Sequence, residues 1–167
     1  GYKEVQGATY LRQVWQLTND LQLLQSTITI YENGQETPEK LQEIWLKIDA
    51  DLILLQSMGE QYNKPLGINF DFNQFQVEWD NLKMGVQNQI EEIGDLQTTK
   101  SNRSASLIAL NSMIGKLTQQ IGDRSYLILD PDLDTYYIME TILIELPNNQ
   151  ALVFELWQLT ENVITNR

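Results

Sequence analysis

The stretch Val14-Trp15-Gln16-Leu17-Thr18-Asn19-Asp20-Leu21-Gln22-Leu23-Leu24-Gln25-Ser26-Thr27-Ile28-Thr29-Ile30-Tyr31 decides the fold class. Its apolar positions Val14, Leu17, Leu21, Leu24, Ile28 and Tyr31 recur at intervals of 3, 4, 3, 4 and 3. That spacing holds one stripe on one face of an α-helix, whereas a strand would alternate every second residue. Asn33-Gly34 closes the stripe as a turn pair.

The same pattern repeats outward. Thr37-Pro38-Glu39 reads as N-cap, N1 proline and acidic first turn. A second stripe follows through Leu41, Ile44/Trp45, Ile48, Leu52, Leu55 and Tyr62, and Asn63-Lys64-Pro65-Leu66-Gly67 is expected to break it. Asp71 is placed to cap a third helix along Phe72, Phe75, Trp79, Leu82, Val86, Ile90, Ile93 and Leu96. The polar stretch Gln97 to Asn102 is expected to turn the chain, and a fourth stripe runs through Leu107, Leu110, Ile114, Leu117, Ile121 and Ile128. Four segments of roughly 25 residues, each about 35–40 Å long and joined by short turns, predict an all-α, elongated antiparallel (up-down-up-down) four-helix bundle.

Asp130-Pro131 is expected to break the fourth helix, because the residue before proline avoids the α region. Asp130 as N-cap and Pro131 as N1 would restart it. Leu133, Tyr136, Tyr137, Leu143 and Leu146 continue a helical pattern to Pro147. An additional C-terminal helical segment is then expected along Leu152, Val153, Leu156, Trp157, Val163 and Ile164.

Composition excludes several function classes. The 167 residues fit a single domain spanning 1-167, and 42% of them are apolar. Eleven basic against 23 acidic residues give a formal charge of -12, a surface that repels nucleic-acid phosphates and anionic headgroups. There is no cysteine and no histidine. Disulfides, thiolate nucleophiles, Ser-His-Asp chemistry and His-based metal sites therefore lack their central parts. No catalytic group, metal or cofactor is expected, and no stretch reaches the ~18–20 apolar residues of a membrane span. The chain opens inside helical pattern and ends so at Asn166-Arg167, so it is expected to be excised from a larger protein.

Asp130, Asp132 and Asp134 imitate the opening of an EF-hand loop, but Thr135 and Thr141 stand where that loop needs glycine and glutamate. These acids instead suit a helix start, whose macrodipole favours them. Trp15, Trp45, Trp79, Trp157 and the Tyr136-Tyr137 pair are aromatics at helical spacing, which more often build core than line a pocket. Arg124 is spaced with Ile121 and Ile128 on or beside the fourth stripe. A guanidinium there captures a ligand carboxylate, pairs with an acid of a neighbouring helix, or reaches out to water. Arg103, read as lying near a helix start, is expected to be exposed.

The segment Asp123-Arg124-Ser125-Tyr126-Leu127-Ile128-Leu129-Asp130-Pro131-Asp132-Leu133-Asp134-Thr135-Tyr136-Tyr137-Ile138-Met139 carries more than a helix needs. It resembles a segment in the periplasmic helical sensor regions of bacterial methyl-accepting chemotaxis receptors and transmembrane sensor histidine kinases. That family typically reads D-x-S-N-L-x-L-D-P-D-x-D-S-Y-Y-L-M followed by an L-P pair, which Leu146-Pro147 matches. Lys3-Glu4-x-x-Gly7-x-x-Tyr10-Leu11 looks like the start of the family's first periplasmic helix, and Trp79-x-x-Leu82-Lys83 and Leu107-Ile108 resemble further landmarks. Departures are Ser26-Thr27-Ile28 for a common His-Arg-Gly, Ser104 for a frequent histidine, and Tyr126 for the usual asparagine.

The resemblance implies a periplasmic, ligand-binding sensor domain of an inner-membrane receptor, with membrane spans flanking this chain. Its partners would be a small-molecule ligand or a ligand-loaded binding protein, and it admits a homodimer. Arg124, Tyr136 and Tyr137 are the candidate ligand-binding residues; Asp130, Pro131, Asp132 and Asp134 form the structural motif. The competing reading is a ligand-free structural or dimerisation bundle.

Overall fold

The computed structural model describes residues 1–127. They form four helices: α1 (Tyr2–Glu32), α2 (Pro38–Leu66), α3 (Phe72–Ile90) and α4 (Leu96–Ser125). No strand occurs among the described residues, so the all-helical expectation stands. Asp130, Pro131, Asp132, Asp134, Tyr136, Tyr137 and the expected C-terminal helical segment lie outside the described residues.

The stripes read from the sequence form one core. Leu17 and Leu24 of α1, Ile44 and Leu55 of α2, Trp79 and Leu82 of α3, and Leu110, Leu117 and Ile121 of α4 are all 0% exposed. Each such side chain contributes about 1.5–3 kcal/mol by leaving water. α1 packs on both α2 and α4, and α3 packs on α4. Between α2 and α3, the Trp79 indole N–H donates to Asp49 Oδ1 at 2.7 Å, and Lys83 pairs with the same carboxylate at 3.1 Å.

The turns follow local chemistry. At the end of α1, Gly34 takes φ 72°, and the N–H groups of Gly34 and Gln35 close on the carbonyls of Tyr31 and Ile30. Thr37 and Pro38 open α2 as expected, though the Thr37 side chain makes no capping bond. Asp71 caps α3, its Oδ1 accepting from the Gln74 N–H at 2.9 Å.

Two boundaries differ from the sequence reading, and the end of α2 agrees with it. α2 ends within the stretch Asn63–Gly67 expected to break it: Pro65 sits in the last turn, and Gly67 caps the helix in the left-handed conformation at φ 69°. Pro65 withholds one N–H there, but the Ile68 and Gly67 N–H groups satisfy the Asn63 and Lys64 carbonyls. The turn after α3 lies at 91–95 and not at Gln97 to Asn102. Gly94 takes φ 78° there, and Asp95 caps α4 by accepting from the Thr98 N–H at 2.7 Å. Consequently α3 has 19 residues against 31, 29 and 30 for the others. Finally, α4 stops at Ser125, before the expected Asp130-Pro131 break, with Tyr126 left-handed at φ 60°.

Candidate functional site

The end of α1, the end of α3 and the start of α4 meet around Glu32. Arg103 is 4% exposed by its side chain and donates through a guanidinium nitrogen to Glu32 Oε1 at 2.7 Å. Lys100, one turn earlier on α4, pairs with the other carboxylate oxygen at 3.2 Å. Gln89 of α3 donates its amide to Glu32 Oε1 at 3.0 Å and accepts from Arg103 through its own oxygen. The expected exposure of Arg103 is therefore corrected. With α4 starting at Leu96, Arg103 stands two turns inside the helix on its inward flank.

Burial pushes the Glu32 carboxyl up. The Arg103 charge, the hydrogen bonds from Gln89 and Arg103, and the Lys100 charge outweigh it and hold the carboxyl below its ordinary value. A desolvated carboxylate is tolerable only with such partners.

Glu32, Gln89 and Lys100 of this network line an open cleft of ≈ 570 Å³, together with Tyr31, Glu36, Asn88, Glu92 and Thr99. Asn88 and Thr99 also line a neighbouring groove of ≈ 390 Å³ between α3 and α4, with Asn81 and Asn102. The combined surface offers amide donors and acceptors, one ammonium and carboxylates. It suits hydrogen bonding to a small polar molecule. No group of three or more His, Cys, Asp or Glu that could hold a metal ion occurs among the described residues.

Among the described residues, Arg124 and the tryptophans singled out from the sequence do not gather here. Arg124 lies in the last turn of α4, at the opposite end of that helix from Lys100, and is exposed. Trp79 is core, Trp45 is half-buried against the core, and Trp15 is 36% exposed; none of the three lines the cleft. Glu32, Gln89 and Lys100 carried no motif. Their only signal was position, on flanks of stripes beside helix ends.

Gly7, part of the first-helix landmark, has a physical role. A Cβ there would overlap the side chain of Ser125, itself 0% exposed, so the missing side chain lets α1 and α4 approach. Tyr10 of the same landmark is 1% exposed and donates its hydroxyl to Asn63 of α2 at 2.9 Å.

No helix of the described residues is long and apolar enough to cross a membrane. No family model, no curated protein and no solved structure matches the chain.

Proposed function

We propose that the chain is the extracytoplasmic signal-sensing domain of a transmembrane bacterial receptor, which takes a small polar ligand in the cleft lined by Glu32, Gln89 and Lys100. The observation that carries the reading is that cleft, where a buried charge network ties α1, α3 and α4 together beside an opening large enough for a metabolite. A ligand that draws on the Lys100 ammonium weakens its hold on Glu32 and shifts the end of α1 against α4. Differential contacts of this kind are what allow a ligand to move a helix. The sequence Asp123–Met139 supports the receptor context, in which the domain sits in the periplasm as part of an inner-membrane protein.

The four helices, in this reading, run alternately up and down. Tyr10 near the start of α1 bonds Asn63 near the end of α2, which supports antiparallel α1 and α2. Gln120, late in α4, exchanges two hydrogen bonds with the backbone of Asn69 in the α2–α3 turn, at 2.8 and 3.0 Å. That contact supports α3 and α4 running oppositely.

The full-length reading frame tests the receptor assignment. Membrane spans flanking this region, with a methyl-accepting, kinase or cyclase module beyond, are expected; a frame without a span contradicts it.

A second reading, a ligand-free dimerisation bundle, is favoured by apolar side chains left in solvent. Leu46 and Ile53 on α2 are 62% and 70% exposed, and Val77 and Met84 on α3 are 50% and 56% exposed. Each pair is two helical turns apart and so shares a face of its helix. A monomer by sedimentation at micromolar concentration removes this reading's support.

A further inference from the structure

Where α1 packs on α2, the Asp20 and Asp51 side chains lie within hydrogen-bonding reach of each other. Asp20 on α1 is 9% exposed and Asp51 on α2 is 7% exposed. Gln16 donates its amide to Asp20 Oδ2 at 3.2 Å. Gln13 reaches towards Asp51 but donates to its backbone carbonyl, at 3.3 Å. Asp51 Oδ2 is buried without a hydrogen-bond partner. Two ionised carboxylates placed like this repel each other with no cation between them, and one proton held between the two relieves both problems.

We propose that Asp20 and Asp51 form a proton-binding site that couples the packing of α1 against α2 to pH. With one proton bound, the protonated oxygen donates to the facing carboxylate and clasps the two helices. When that proton leaves to water, two buried negative charges face each other and push α1 and α2 apart.

The charged surroundings are few. From α1 the facing group is Asp20, and from α2 it is Lys47, one turn before Asp51. The Asp49–Lys83 pair on α2 turns to α3, and the Glu32–Arg103–Lys100 network lies about three turns further along α1. Burial and the adjoining Asp20 carboxyl push the Asp51 carboxyl up to about 7, against the opposing pull of Lys47. The site's titration needs no occupant in the cleft, so it stands or falls apart from the ligand reading.

The chain has no cysteine, so paired spin labels can be placed uniquely, at the exposed positions Asn19→Cys on α1 and Ala50→Cys on α2. Electron–electron distance measurement on the 167-residue chain at about pH 5 and about pH 8.5 brackets the titration. The expected result is a longer distance at the higher pH in the parent sequence. With Asp51→Asn or Asp20→Asn, either of which removes the charge pair, the low-pH distance should persist at both. An unchanged parent distance overturns the proposal, as does a distance in the Asn variants that moves as far as the parent's.

Discussion

Arg103 on α4 reaches Glu32 on α1 at 2.7 Å, closing the end of the fold with a charge pair that water barely touches. Buried pairs of this kind are costly to break from one side, because the remaining charge stays desolvated. Arg103→Met is expected to destabilise by about 3 kcal/mol in urea unfolding. Adding Glu32→Gln should recover part of that loss, since the carboxylate left behind is what costs most. Equal losses in the single and double variants would mean that the packing of the arginine stem, not its charge, matters.

The two buried acidic sites give opposite pH dependences. Glu32 is held below its ordinary value, so its contribution is present above the unfolded pKa and lost as pH falls through the folded one. Asp51 is held above, at about 7, so the folded state binds its proton more tightly. That contribution is full below the unfolded pKa of about 4 and is lost as pH rises through the folded value. Stability measured from pH 3 to 9 should therefore lose part of its acid limb with Glu32→Gln and its neutral limb with Asp51→Asn, each independently.

Gly7 and Ser125 set how closely α1 and α4 approach. Gly7→Ala forces its methyl into Ser125, and overpacking of this kind costs about 1–3 kcal/mol. Ser125→Gly removes the colliding atoms and should rescue most of the loss in a double-mutant cycle by thermal unfolding. Additive losses would show that the two residues do not share the strain.

Glu92 is a non-glycine residue in the left-handed conformation, at φ 56°, where it ends α3. Its N–H and that of Ile93 close on the carbonyls of Gln89 and Asn88, the arrangement that usually takes glycine. Glu92→Gly should raise stability by about 1 kcal/mol in urea unfolding, since a left-handed side chain costs about 1–2 kcal/mol.

How much of this was legible depends on which forces act locally. Leu17, Leu24, Leu55 and Trp79 announce themselves by spacing, because a stripe is a property of one helix, and Asp71 announces itself as a cap. The α3–α4 turn was hidden because Ile93 and Leu96 prolong the apolar rhythm, although both are more than half exposed, at 52% and 53%. Gly94 outweighs them, since its left-handed backbone turns the chain whatever its neighbours' hydrophobicity. That one displacement moved Arg103 from an apparent helix start to a buried position. The meetings of Asp20 with Asp51, and of Glu32 with Arg103, join different helices. Which flanks pair is decided by tertiary packing that no single segment encodes. Tyr126 is a further case. Its left-handed backbone, at φ 60°, is one that side chains other than glycine and asparagine rarely adopt, and a tyrosine does not announce it.

The most direct test of the sensing account is ligand-dependent unfolding of the chain and of its Lys100→Met variant, screened against amino acids, organic acids, amines and inorganic anions. A ligand that binds only the folded state should stabilise the parent by about 2.7 kcal/mol at 100 times its Kd. The account predicts such a response from at least one compound class, and its loss or marked weakening in Lys100→Met. A flat response across the whole panel, or one that Lys100→Met leaves intact, contradicts it.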